Sequence, residues 1–460
     1  MKRVFKLQTM VLVLVLAMLL SACGAATTSP PATTTAAQTQ AEATTTEAAT
    51  QAATQAATQA ATQAATQAAT QAAESTTEKA IFYEDVDEEF EVPYDEWSDL
   101  TSDELYQLAL QEPKEPIIAY VSSSKWNNVA KSFSEDYPGL ELQVEDMNTG
   151  DIIPKFEIEK RANARTADML FLKDGTGEIK IDFWPYGYLE YFYPRDICQQ
   201  IEPAYLEYGF PLYCGATMMY YNVNMYPDGA PINSWWDLLD EDLNLIMKNP
   251  AEDETILVVF CTMVNNADKM AEGYKAKYGT DIEYTYDPNV AFGVIGEKVE
   301  ANNAAYEFIY RLAHKKNITF IDDGDEIVAS VQKSTMKTIG VCSAGKMKNS
   351  TPEEPIYWIL ELEPFLTVPG INYMYVVSET AHPAGVRLLI RYAIGDSDGE
   401  NYSRGFEPFT GMGNWSLRSD IPDSNNPVAI IDTNSLPTNI KAVNPIYQVT
   451  REFWDYWLNR

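Results

Sequence analysis

Residues 117–172 read IIAYVSSSKWNNVAKSFSEDYPGLELQVEDMNTGDIIPKFEIEKRANARTADMLFL, and this stretch decides the fold. Ile117–Val121 is a short apolar run bounded by prolines and serines, the pattern of a buried parallel strand. Ser122-Ser123-Ser124 follows, with hydroxyls suited to a helix N-cap. Trp126, Val129, Ala130 and Phe133 then recur at i, i+3, i+4 and i+7, one face of a helix. Pro138-Gly139 marks a turn, and Leu140, Leu142 and Val144 alternate as a strand. A second helical pattern runs near Pro154–Arg165, and Met169–Leu172 is the third strand. Strand, helix, strand, helix, strand predicts an α/β fold with a mostly parallel sheet, because parallel neighbours need a crossover.

Outward from this stretch the pattern continues. Gly215–Val223 is extended and aromatic, Asn233 and Ser234 cap a helix through Leu239, and Thr338–Cys342 reads as a strand. Lys298–His314 and Ala381–Ile394 read as helices, the latter with Val386, Leu389, Ile390 and Ala393 on one face. Asn444-Pro445 opens a last helix with Ile446, Val449, Phe453 and Trp457 inward and Pro445 at its first position. From Lys114 onward there are about 350 residues, room for two domains of ordinary size. Residues 80–112 form an acidic lead-in and a short helix over Asp103–Gln111, stopped by Pro113 and Pro116. The acidic run lacks regular ligand spacing, so solvated charge is expected rather than a cation site.

The N-terminal part has another character. Lys2, Arg3 and Lys6 precede the uncharged run Met10–Leu20, which is shorter than the ~20 residues a membrane helix needs and suits a secretory signal. Leu20-Ser21-Ala22-Cys23-Gly24 follows, the lipobox pattern of bacterial lipoproteins. The expectation is a signal peptide over 1–22 and diacylglycerol on Cys23, with stable anchoring by two or three acyl chains. Residues 23–79 then form a Thr/Ala/Gln tether, with QAAT five times over 51–70. It has no large apolar residues to bury, so it cannot offset the entropy of ordering. As a flexible coil its ends would lie about 40 Å apart.

The formal charge is −34, and loss of the three signal cations would take it to −34 − 3 = −37. That balance excludes nucleic acid as a partner, since phosphate contacts need Lys and Arg. It also favours a cation or neutral organic molecule over an anion as ligand. Four cysteines remain after acylation, Cys198, Cys214, Cys261 and Cys342, with no CxxC spacing, so buried free thiols are expected and zinc is not. His314 and His382 sit in no catalytic or metal motif, and no GxSxG or HExxH is present, so an enzyme is not expected.

Several motifs, in order, resemble the extracellular solute-binding proteins of bacterial ABC importers, in the branch of ferric-ion, thiamine and polyamine binders. Leu105–Val121 is similar to that family's opening helix and first strand, Phe133–Leu142 (FSEDYPGLEL) to its F-x-x-x-Y-P-G stretch, and Glu159–Leu172 to its helix leading into an Ala-Asp strand. Tyr220–Leu239 resembles its Tyr-Asn pair followed by Pro-x-Ser-Trp-x-Asp-Leu, here Pro231, Ser234, Trp235, Asp237 and Leu238. Asn249-Pro250 stands where the family often has Asp-Pro, and Pro364–Ile394 resembles its late crossing strand and helix. The resemblance implies a type 2 periplasmic-binding-protein-like fold: two lobes, each a mostly parallel sheet with helices on both faces, joined by a hinge. The expected divisions are lobe 1 over 113–213, lobe 2 over 214–368, and 369–460 returning to lobe 1 with C-terminal helices across both. It further implies a small-molecule or ion ligand in the cleft, an ABC permease as partner, a monomer, no cofactor, and a place on the outer face of the cell membrane. A surface-tethered adhesin or glycan-binding module on the same fold is the alternative.

Ligands in open α/β sheets sit beyond the carboxyl ends of strands. This rule selects Ser122, Ser123 and Ser124 after the first strand, where plain capping is the other reading. It also selects Lys173, Asp174 and Gly175 after the third, and Ser343 and Lys346, within Ser343-Ala344-Gly345-Lys346, after Thr338–Cys342; ordinary surface turns would look the same. In the aromatic run Phe183–Tyr193, Trp184 and Tyr186 are candidates for a sugar, flat organic ligand or cation, though core packing claims most of these rings. Tyr213 and Tyr373 lie near the expected crossing strands. Ferric binders of the family use adjacent tyrosines. Tyr220-Tyr221 is adjacent, but strand neighbours point to opposite faces, so packing is expected and iron is not supported.

Overall fold

The chain is organised by two sheets and by the places where it passes between them. The computed structural model describes residues 90–294, 296–395, 402–421 and 425–460, which belong to one compact unit. The signal, Cys23 and tether expectations, and residues 80–89 of the acidic lead-in, lie outside the described residues.

Helix α1 (Ser102–Ala109) starts on a capping box: the Thr101 hydroxyl accepts from the Glu104 N–H at 3.3 Å and the Glu104 carboxylate from the Thr101 N–H at 2.9 Å. The decisive stretch then folds as β1 (Ile117–Val121), α2 (Trp126–Asp136), β2 (Leu142–Asp146), α3 (Thr149–Arg161) and β3 (Met169–Leu172). β1 pairs in parallel with both β2 and β3. β4 (Leu189–Glu190), the one-turn α4 (Arg195–Cys198) and β5 (Phe210–Gly215) follow. The chain then enters the second sheet at β6 (Thr217–Asn222) and continues through β7 (Asn244–Met247), α5 (Glu254–Asn265) and α6 (Ala267–Tyr278). A small hairpin of β8 (Ala291–Phe292) and β9 (Glu297–Lys298) precedes α7 (Ala304–Ala313), β10 (Ile318–Phe320), α8 (Gly324–Lys333), β11 (Thr338–Ser343) and β12 (Ile356–Trp358). The return passes through β13 (Gly370–Val377), α9 (Pro383–Ile394), β14 (Asn414–Trp415) and α10 (Ile440–Leu458).

The first sheet has the order β14-β5-β13-β3-β1-β2, with β4 also on β13, and the second β10-β7-β11-β6-β12. In the first, only β13 and β14 run against the rest; in the second, only β6 does. β6 and β13 are the first strands after each passage between sheets. They arrive without a crossover helix, which parallel entry would require. All eight residues of β13 and all four of β3 are buried, as central strands demand. Against them α2 sets Trp126, Val129 and Phe133, none with exposed surface, and the Trp126 ring lies 5.2 Å from Phe171. Truncating such a tryptophan typically costs about 3–5 kcal/mol.

The Pro-x-Ser-Trp-x-Asp-Leu segment is a packing device of the second sheet. Asp237 accepts the Ser234 N–H at 2.9 Å and ion-pairs Lys277 at 2.7 Å, while the Trp235 and Trp236 indoles donate to the Phe365 and Met270 carbonyls, each at 2.9 Å. Three helix limits differ from the sequence reading. The helix expected at Lys298 starts at Ala304, because Lys298 pairs within the hairpin and Asn303 caps the Ala305 and Tyr306 N–H groups. The last helix starts at Ile440 on an Asn439 cap, leaving Pro445 inside it; buried Ile440 and Val443 anchor the extra turn. The helix placed near Pro154 starts at Thr149. Cys198, Cys214, Cys261 and Cys342 are buried free thiols.

Candidate functional site

The loops beyond β1 and β3 of the first sheet meet loops beyond β7 and β11 of the second, and the meeting has two ends of opposite chemistry.

One end is basic. After β1 the Ser122 N–H donates to the Phe171 carbonyl at 3.0 Å, and Ser123 turns the chain by accepting the Trp126 N–H at 3.2 Å. The serines do not cap α2: its N-cap is Lys125, with no side-chain cap bond. The Ser123 hydroxyl instead pairs with Tyr213 on β5, whose phenol burial holds protonated. Lys125 reaches over this group. Its Nζ donates to Asn414 Oδ1 at 2.8 Å and lies 5.1 Å from the Tyr213 ring centroid and 5.9 Å from that of Phe409. Burial, then the charges of Lys348 and Lys346, bring its ammonium down from 10.5 to about 8. Those two lysines stand on the turn Ala344–Asn349 that follows β11. The Tyr220 hydroxyl fixes the start of the turn by donating to the Ser343 and Ala344 carbonyls, at 2.8 and 2.7 Å. The returning loop closes on it: a Cβ on Gly413 (φ +82) would lie 2.3 Å from the Ala344 carbonyl carbon and the Gly345 nitrogen. Only glycine permits that approach and that backbone.

The other end is acidic. After β3, the Lys173 stem crosses Gly370, where a Cβ would meet its Cδ at 2.7 Å. Asp174 has no exposed surface, and its carboxylate accepts the Ile179 and Lys180 N–H groups, both at 3.2 Å. It caps the turn Ile179–Phe183. Facing this loop is the start of α5, where Asp253 caps the Ile256 N–H at 3.0 Å and ion-pairs Lys248 at 2.9 Å. Glu254 follows, its Oε1 3.6 Å from where a Gly175 Cβ would stand. Burial and the charges of Asp174, Glu178 and Asp253 push Glu254 up to about 8, against the pull of Lys173. Burial and neighbouring acids likewise raise Glu178 to about 7, and burial raises Asp174 to about 6. For Lys173, burial lowers the pKa and Cys214, Asp253 and Glu254 oppose it. A cavity of about 10 Å³ lies here, room for one water, lined by Lys173, Gly175, Glu254, Thr438 and their neighbours. The C-terminal segment closes this end too: the Asn444 amide donates to the Thr176 carbonyl at 3.1 Å, and a Cβ on Gly177 (φ +78) would meet Ile440 at 1.9 Å.

Of the candidates read from sequence, the structure brings Ser123, Tyr213 and Lys346 to the basic end, and Lys173, Asp174 and Gly175 to the acidic one. Ser122 and Ser343 border the basic end; Ser124 is exposed at its edge. Trp184 closes the Ile179–Phe183 turn that Asp174 caps, and Tyr186 follows it; both rings stack on other rings of the first sheet. Trp184 stacks on Tyr191 at 4.6 Å, and Tyr186, 68% exposed, stacks on Tyr188. Tyr373 has no exposed surface and packs beside Tyr375 within the sheet. Tyr221 pairs with Tyr357 across the β6–β12 ladder, so the two adjacent tyrosines serve different contacts. Among the described residues no group of three or more His, Cys, Asp or Glu is placed to hold a metal ion. Sequence reading passed over Lys125, Lys348, Glu254 and Asn414. Lys125 directly follows the serines, and Glu254 lies four residues past Asn249-Pro250, so both carried a positional signal. Asn414 carried none.

Comparison with known proteins gives the family and the fold. Residues 120–400 match the family model of the bacterial extracellular solute-binding protein. Among solved structures, the apo ferric ion-binding protein A of Pasteurella haemolytica is 11% identical, covers 74% of this chain and 97% of its own, and superposes with a TM-score of 0.53. Iron-bound HitA from Pseudomonas aeruginosa is 11% identical at 74% and 99% coverage, with a TM-score of 0.52. The periplasmic binding protein AfuA from Actinobacillus pleuropneumoniae, with fructose-6-phosphate bound, is 15% identical at 75% and 98% coverage, with a TM-score of 0.50. At such identity these likenesses establish the fold alone, two lobes of the type 2 periplasmic binding kind. No curated relative matches the sequence. The family consists of binding proteins, not enzymes, and no helix among the described residues is long and apolar enough to cross a membrane. With its family model spanning more than half its length, the chain belongs to the bacterial extracellular solute-binding proteins of ABC transporters.

Proposed function

We propose that this chain is a lipid-anchored, monomeric capture protein that holds a small solute between its two lobes and delivers it to an ABC-transporter permease on the outer face of the cell membrane. The observation that carries the reading is the meeting of strand-end loops from both sheets, where Lys125 of one faces Lys346 and Lys348 of the other. A ligand touching both lobes favours the closed arrangement by its differential contacts, and hinge closure then buries it. The chain passes between the sheets at 215–217 and between β12 and β13, and once more between β14 and α10, which packs on α5 and α7 of the second sheet. Cys23 supplies the anchor and residues 23–79 the reach to a permease in the same membrane.

Two measurements test this reading. Deletion of the protein should abolish uptake of the captured solute; intact uptake, with the chain still binding a surface glycan, would support the adhesin alternative. Cys23→Ala should move the protein from the membrane fraction to the medium, and unchanged membrane retention contradicts the anchor.

A further inference from the structure

We propose that the captured solute carries an anionic group, a phosphate or a carboxylate, seated between Lys125 of the first lobe and the Lys346–Lys348 turn of the second. The inference rests on the capture reading and adds the ligand's chemistry to it. In a chain with 67 acidic and 33 basic residues, several half-buried lysines meet a carboxylate. Lys155, Lys180, Lys248, Lys277 and Lys337 all do so within 4.0 Å. Among the described residues Lys125 and Lys348 ion-pair with none, and Lys346 has only Asp325, at 2.8 Å. Lys125 is instead held by a neutral amide oxygen and two aromatic rings. That setting keeps its ammonium aimed and partly dehydrated without neutralising it. Like charges from two lobes repel when the lobes approach. Two of these three cations therefore oppose closure of the empty cleft, and an anion between them reverses the sign of that interaction. The N-terminus of α2, headed by Lys125, adds positive potential at the same point. The hydroxyls of Ser123 and Tyr213 lie beside it as further polar groups.

Lys173 marks the contrast. It too is buried at the meeting of the loops, but the groups nearest it, Cys214, Asp253 and Glu254, favour its charged form, whereas those nearest Lys125 are lysines. The anion seat is thus placed at Lys125 and not at Lys173. The chain's overall acidity, which taken alone favours a cation, is a long-range property; screening beyond about 10 Å leaves the nearest charges to decide what binds.

The test uses the full chain. It is incubated with culture medium and, separately, with inorganic phosphate, glucose 6-phosphate, citrate, glucose, spermidine and ferric ion, and bound mass is read by native mass spectrometry with calorimetry for each binder. The expected result is retention of a phosphate- or carboxylate-bearing molecule, with Kd raised roughly 10- to 100-fold in Lys125→Met, the loss of one charge-assisted contact. Lys348→Met, a change at an exposed side chain, should raise Kd by a smaller factor and guards against misfolding of the first variant. Phosphate and citrate separate the two anion sources. Retention of only neutral or cationic molecules, or equal anion affinity in Lys125→Met, overturns the anion seat and leaves capture standing. No retained mass from any source overturns both.

Discussion

The two ends of the cleft are built alike and charged oppositely. Each has a loop beyond a first-sheet strand, a loop beyond a second-sheet strand, and a late segment of chain in a contact that needs a glycine at positive φ: Gly413 of the late segment at the basic end, Gly177 under Ile440 at the acidic one. At the acidic end the protein supplies its own counter-charge, Lys173, and keeps protons on Glu254 into the neutral range. At the basic end no carboxylate among the described residues answers Lys125. In the proposed reading, shared architecture sets where a ligand can lie and the unanswered charge sets which end it contacts.

The comparison can be broken most severely at the two glycines. Gly413→Ala forces a Cβ into the Ala344–Gly345 backbone as well as straining φ, at a cost of about 3 kcal/mol. The melting temperature should fall by roughly 4 °C. Anion affinity should fall with it, because Asn414, which holds Lys125, is the next residue. Gly177→Ala should cost a similar amount, since Ile440 stands in the way, yet leave anion affinity within a few-fold. Equal loss of affinity in both variants would mean that the two ends do not act separately.

Lys125→Met sharpens the contrast more gently. Its pKa is lowered in the fold, so the protonated form is disfavoured there. The cost is full below about 8 and relieved as pH rises from about 8 towards 10.5, because the unfolded chain then binds more protons. The methionine variant should melt a few degrees higher than the wild type at pH 7 without ligand, and lose the stability gain that the wild type shows above pH 8. The charged groups near Lys125 are Lys346 and Lys348, with Asp325 beside those two, and the Tyr213 phenol stays protonated throughout. Glu254→Gln should show the smallest effect and the opposite slope. A raised carboxyl pKa contributes stability that is present below about 4.5 and lost as pH climbs through about 8. Thermal scans from pH 5 to 9 should therefore fall less steeply in this variant; identical slopes would remove Glu254 from the account.

Much of the fold was legible because its elements obey one rule at a time. The β1–α2–β2–α3–β3 run has clean periods of 2 and 3.6, and its helices and strands stand within a few residues of the reading. Asn303 and Asn439, which set two helix starts, were missed because a capping asparagine looks like any loop asparagine until the turn it closes is known. Strand-end position selected Ser123, Lys173 and Lys346, which the structure places where loops of the two sheets meet, but could not tell a carboxylate that caps a turn, such as Asp174, from any other. Lys125 was hidden for a different reason. Its importance lies in the absence of a nearby acid, and that depends on residues nearly three hundred positions away, at Asn414. In the aromatic run, Trp184 and Tyr186 stack on Tyr191 and Tyr188, and ring density in the sequence is the same whether rings stack on one another or on a ligand.

The central claim is capture by closure of two lobes around a ligand that Lys125 touches. Dyes on Tyr186→Cys and Met336→Cys, exposed positions on the first and second lobes, report the interlobe distance in the full chain. Saturation with the anion that binds should shorten that distance in the wild type and leave it unchanged in Lys125→Met at the same concentration. A distance that stays fixed while the ligand is bound, or shortens equally without Lys125, contradicts the account.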